Sequence, residues 1–350
     1  MEFLRSILNV LQAFYRRWHF RYHLSKAYLN YFFSFLRRTN QVIDTWTNGQ
    51  KLGRRIAVFV HYDAAGEVQP YVLPYLQALR SHGFDIVFVS NSGKLVKDAK
   101  AVLQPLCAAV LTRRNIGYDF GAMRDGLFFA AAKPENTDMV LVLNDSVYGP
   151  LCDIGPLLEG IDFSRADVWG ATESYQNRYH LQSYFFAVGP VALGSKAWNM
   201  FWKSVRPVSN KLWVIMNYEI GMTRSMLKYG LRCAAVVTYK DLVSRIDPTS
   251  LVRKDRDEPN DTDPFVINRK THLTHILYSS SHRVPMNPTA ELWRQLMESR
   301  FPFIKRELLR DNPARVIDLA DWRHVARQIF DADLGPIDND LQRVLRDRTP

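Results

Sequence analysis

Four short apolar runs most constrain this chain: Arg54–His61, Asp85–Ser90, Ala108–Thr112 and Met139–Leu143. Each is too short for a typical helix and is bounded by polar residues, so each reads as a buried strand. Segments with helical periodicity follow the first three, at Tyr71–Ser81, Lys94–Gln104 and Gly121–Ala132. Strand alternating with helix predicts an α/β fold, a parallel sheet with helices on its faces. Beyond residue 150 the alternation loosens. Asp167–Thr172, Ser183–Val188 and Cys233–Thr238 read as further strands, and Lys196–Val205 and Tyr218–Tyr229 as helices. Asn40–Gly53 is polar and predicts a linker. Arg253–Thr274, rich in Asp, Pro and Asn, predicts an irregular surface segment. Ala290–Met297, Ile304–Arg310 and Asp318–Phe330 read as helical, and the tail from Gly335 is charged. Three regions follow: a helical extension over residues 1–50, a main domain over 54–250, and C-terminal helices over 251–350 packed on it.

A hydrophobic content of 47% over 350 residues is enough for a sizeable core. The formal net charge of +11 favours anionic partners: nucleic acid, acidic lipid or nucleotide-linked substrates. No nucleic-acid motif accompanies the charge, so nucleic acid is set aside. Cys107, Cys152 and Cys233 show no paired spacing and read as reduced thiols in a cytoplasmic protein. Met1–Arg38 carries Arg5, Arg16, Arg17, Arg21, Lys26, Arg37 and Arg38 against Glu2 alone, with dense aromatics at helical spacing. Charges interrupt every apolar run well short of a membrane span, and no signal-peptide pattern follows. Two readings fit: a helix lying in the membrane interface, or one packed on the protein's own core or a second subunit.

The candidate chemistry lies at strand ends. Asn144-Asp145-Ser146 follows the fourth run, where open α/β sheets bind ligands. Asp145 there reads either as a carboxylate that holds a divalent cation on substrate phosphates or as part of a turn. Arg113-Arg114-Asn115-Ile116-Gly117-Tyr118-Asp119 follows the third run. Its arginines suit a diphosphate clamp, while Asp119 also suits a helix cap. Glu219 and Glu173 are alternative general bases, each also readable as a helix-start or surface carboxylate. GxGxxG, the P-loop, GxSxG and HExxH do not occur. His272 and His275 read as structural rather than as metal ligands.

Val58-Phe59-Val60-His61-Tyr62, Asn115-Ile116-Gly117-Tyr118-Asp119-Phe120-Gly121, Leu143 through Pro150, Tyr218-Glu219-Ile220-Gly221 and Pro302 through Leu309 occur in this order. Together they resemble the rhamnan synthesis protein F family of bacterial surface-polysaccharide glycosyltransferases, across roughly Arg54–Pro313. The resemblance implies a GT-A-like nucleotide-binding sheet and an acceptor-binding half. It implies transfer of a sugar, with dTDP-rhamnose the expected donor, to a glycan or lipid-linked glycan at the inner membrane surface. It places Asn144-Asp145-Ser146 at the metal and diphosphate motif, with Asp145 as ligand to Mg²⁺ or Mn²⁺. Asn115, Gly117 and Asp119 then line the nucleotide-sugar pocket, Arg113, Arg114 or Lys side chains carry part of the diphosphate charge, Tyr62 and Asp63 lie near the base, and Glu219 deprotonates the acceptor hydroxyl. In this sequence Asn144 and Ser146 stand where that motif carries acids, which weakens the implied cation site. The rival reading is a non-catalytic polysaccharide-binding or scaffold protein.

Overall fold

The computed structural model describes residues 18, 21–246 and 263–346. Most of the basic, aromatic start of the chain, and residues 253–262 of the expected irregular segment, lie outside the described residues. The strands in chain order are Val42–Thr47 (β1), Arg55–His61 (β2), Asp85–Ser90 (β3), Ala109–Arg113 (β4), Met139–Asn144 (β5), Val147–Tyr148 (β6), Val168–Ser174 (β7), His180–Leu181 (β8), Phe185–Val188 (β9), Cys233–Val237 (β10) and Ile304–Lys305 (β11).

β4, β3, β2 and β5 stand side by side and parallel, as the alternation of strand and helix requires. β9 and β7 extend the sheet antiparallel, β10 then joins β7 in parallel, and β8 pairs with β7. Successive side chains on each central strand enter opposite cores. Ala57, Phe59, Phe88 and Leu141 face the helix Val72–Ser81 and the C-terminal helices. Val58, Val60, Val87, Val89 and Val142 face Phe120, Met123 and Trp202. Burying each large side chain contributes roughly 1.5–3 kcal/mol, so both faces hold the sheet. The helix Tyr118–Ala130 lies so close to the sheet that a Cβ on Gly126 would stand 2.5 Å from Val58 Cγ1. That contact fixes where the start of this helix meets the sheet edge. Cys107, Cys152 and Cys233 are free thiols.

Several expectations are corrected. Residues 42–47, expected in a linker, form β1, which pairs antiparallel with β4 and closes the sheet edge. An edge strand needs no continuous apolar run, so its polar composition hides it. From residue 264 onward the expected irregular stretch belongs to the helix Pro264–Ser281. Asp263 caps this helix by accepting from Phe265 N at 2.9 Å, and Pro264 occupies its first turn. Asp-Pro is loop chemistry that serves here as a helix start. Ile304–Arg310, expected to be helical, splits into β11 and the helix Arg306–Asp311. The charged tail forms the helix Gly335–Arg346. Tyr218–Tyr229 divides between a π-helical turn, Val214–Glu219, and the helix Ile220–Lys228.

A helix over residues 21–34 precedes β1. One of its faces docks on the main body: Ala27 is buried, and Tyr31 stacks on Trp213 with ring centroids 4.3 Å apart. Another face leaves Tyr28, Phe32 and Phe33 exposed. Among the described residues no helix is long and apolar enough to cross a membrane.

Candidate active site

The C-terminal ends of β2, β4 and β5 meet at one edge of the sheet, and a cleft of about 720 Å³ opens there. Tyr62 reaches it from β2, Asp119 from the helix after β4, and Asn144, Asp145 and Ser146 from the end of β5. Glu219 enters from the π-helical turn, a device often found at functional sites. Lys305 and Arg306 enter from β11 and the helix after it. β11 arrives by pairing antiparallel with β6, with Lys305 opposite Val147, so the strand following the Asn144-Asp145-Ser146 turn recruits them.

The motif is tied together internally. Asn144 donates its Nδ2 to Asp119 Oδ2 at 3.0 Å and accepts from Ser146 N at 3.1 Å through Oδ1. Asp145 Oδ2 accepts from Tyr62 N at 3.3 Å and from Arg306 Nη1 at 3.3 Å. Arg306 is held on its other side by Asp340 at 3.4 Å, and its guanidinium lies over the Tyr71 ring. Asp340 also accepts from Tyr148 OH at 2.7 Å and from Arg343 Nη2, which reaches Asp63. Lys305 Nζ donates to Ser146 Oγ at 2.9 Å. Glu219 Oε1 accepts from Ser183 N at 3.1 Å and Ser183 Oγ at 2.8 Å.

The charges perturb one another. Burial, with the neighbouring charge of Asp145, pushes the Asp119 carboxyl up to about 6. Burial raises Asp145 as well, against the pull of Arg306. Burial lowers Lys305, while Glu219 and Asp119 favour its charge.

Of the expected site residues, the cleft brings together Tyr62, Asp119, Asn144, Asp145 and Glu219. It does not include the others. Glu173, on β7, accepts from Tyr239 N at 3.1 Å outside the cleft lining, although its neighbour Ser174 lines it. Asp63 folds into its own loop and accepts from Ala65 N at 2.9 Å. Arg114 and Asn115 are exposed beside the cleft. Gly117 takes φ +92° at the start of the helix Tyr118–Ala130, a backbone role. Arg113 is fully buried against Asp125 at 2.9 Å and Ile116 O at 2.8 Å, so it braces the loop and is not a diphosphate clamp. His272 is buried, with its Nε2 2.8 Å from Glu291 O. Sequence reasoning misses Lys305 and Arg306 as site residues. Their signal is that both lie in Pro302 through Leu309, one of the segments that carry the family resemblance.

A divalent cation asks for several oxygen donors with available lone pairs. Here Asp145 meets Arg306, and Asn144 Oδ1 is taken by Ser146. Among the described residues no group of three or more His, Cys, Asp and Glu gathers that could hold a metal. The donor set therefore fits the expected cation on Asp145 poorly.

The family model described as "Rhamnan synthesis protein F" matches residues 86–254, in agreement with the resemblance read from the motifs. Lys305 and Arg306 lie beyond that span. The chain is 29% identical over 272 residues to "Virulence protein VirA" of Vibrio anguillarum, covering 74% of this chain and 81% of that protein. It is 28% identical over 211 residues to "Uncharacterized protein y4gN" of Sinorhizobium fredii, covering 59% of this chain and 55% of that protein. Among solved structures it is similar to the glycosyltransferase GlyE of Streptococcus pneumoniae TIGR4, at 14% identity and a TM-score of 0.32, covering 52% of this chain and 45% of that one. The galactosyltransferase LgtC matches at the same identity and TM-score, covering 51% of this chain and 73% of that one.

Proposed function

We propose that this chain is a glycosyltransferase of polysaccharide synthesis. It moves a sugar from a nucleotide-sugar donor, expected to be dTDP-rhamnose, to a hydroxyl of a surface-polysaccharide or lipopolysaccharide acceptor. One observation carries the reading: a single cleft at the C-terminal sheet edge gathers Asp119, Asn144, Asp145 and Ser146 with Lys305, Arg306 and a separate carboxylate, Glu219. The match to the rhamnan synthesis model supports it.

In this reading the donor's diphosphate lies beside Ser146 and Lys305. The glycosidic bond forms between the acceptor oxygen and the anomeric carbon, the bond from that carbon to the diphosphate breaks, and the acceptor proton passes to Glu219. Ser183 fixes Oε1 of Glu219, which orients the carboxylate. The acceptor is a glycan or lipid-linked glycan at the cytoplasmic face of the inner membrane. The exposed aromatics of the helix over residues 21–34, beside Arg37 and Arg38, support contact with an anionic lipid surface.

Purified protein given dTDP-rhamnose and a lipid-linked acceptor is expected to release dTDP. Glu219→Gln, with its melting temperature retained, is expected to lose roughly 100-fold or more in turnover. Full activity in that variant removes Glu219 from the base role. No release from any sugar nucleotide refutes the enzyme reading.

A further inference from the structure

We infer that this cleft holds the donor's diphosphate with Lys305 and needs no divalent cation, because Arg306 occupies Asp145, the carboxylate a cation would use. The inference rests on the glycosyltransferase reading above and specifies how its donor is held.

An ammonium has three donors. Lys305 uses one on Ser146 Oγ at 2.9 Å, and its charge lies 4.9 Å from the centre of the Tyr184 ring. Among the described residues no carboxylate lies within ion-pair distance of it. A partly buried cation with unused donors, facing a cleft, is suited to an anionic ligand. Asp145, by contrast, already has a cation on its Oδ2. Arg306 donates to its backbone oxygen at 2.8 Å and to its carboxylate at 3.3 Å, and Asp340 and the rings of Tyr71 and Tyr148 hold Arg306 in place. Drawing Asp145 to a metal would take one of two carboxylates from a guanidinium in a largely buried site. The flanking positions are an amide and a hydroxyl, Asn144 and Ser146, whose polar atoms bond to each other and to Asp119. The positive charge that a departing diphosphate requires is thus supplied from β11.

Isothermal titration of the full chain with dTDP, UDP and GDP, each in EDTA and again in Mn²⁺, tests this. At least one nucleotide is expected to bind in EDTA with an affinity within about threefold of that in Mn²⁺. Lys305→Gln is expected to weaken it by roughly tenfold or more, the loss of one charge-assisted hydrogen bond. Lys305→Arg, which keeps the charge, is expected to retain most of it. Binding that appears only with Mn²⁺ overturns the inference while leaving the glycosyltransferase reading in place. Binding in EDTA that is unchanged in Lys305→Gln overturns the role of Lys305. No binding of any of the three nucleotides in either condition overturns both readings. The comparison of EDTA with Mn²⁺ uses the unaltered chain, so it stands even if a variant fails to fold.

Discussion

Asp119→Asn is expected to stabilise the protein at neutral pH and to leave it unchanged in acid. The Asp119 carboxyl is pushed from 3.8 up to about 6, first by burial and then by the charge of Asp145. A raised carboxyl keeps its proton in the folded state when the unfolded chain has lost it. Its stabilising contribution is complete below about pH 4 and is lost as pH rises through about 6. Above that the folded protein carries a charge it would shed. About two pH units correspond to about 3 kcal/mol, and the partial exposure of Asp119 reduces this to roughly 1–2 kcal/mol. Asparagine has the same shape, still accepts from Asn144 Nδ2, and carries no charge. Urea unfolding near pH 4, 6 and 8 measures the difference. The gap between variant and wild type should be near zero in acid and widest near pH 8. A constant gap across pH, or a less stable variant at pH 8, refutes the electrostatic account of the cleft.

Two further sets of substitutions probe Arg306 and the N-terminal helix. Arg306→Met leaves Asp145 and Asp340 facing an uncharged side chain and should cost about 3–5 kcal/mol in urea unfolding; adding Asp145→Asn should recover part of that loss, and strict additivity would deny the coupling. Phe32→Ser with Phe33→Ser should weaken co-sedimentation with vesicles containing anionic lipid, without altering the melting temperature; unchanged sedimentation would remove this face from membrane contact.

The parallel centre of the sheet is legible in the sequence because β2, β3, β4 and β5 are buried on both faces, and that demands apolar residues at nearly every position. β1 is not, since one side of an edge strand faces water. β6, β8 and β11 have two residues each, too few to show any period. Asp119, Asn144 and Asp145 can be found because they border readable elements. Arg113 and Arg114 look equivalent in sequence, yet one closes β4 inside the core and the other faces solvent. Lys305 and Arg306 depend on a pairing between distant strands, which local pattern does not encode.

That pairing bears on how the protein is made. Lys305 and Ser146 are 159 residues apart. The nine-stranded sheet closes with β10, well before β11 is synthesised. Contacts between such distant segments form slowly, because a long loop must close first. A nascent chain ending before β11 carries every strand of that sheet, while one face still lacks Phe303, Ile304 and Trp322 and the cleft lacks Lys305 and Arg306. The segment made last thus closes the core on one side of the sheet and furnishes the cleft in the same step.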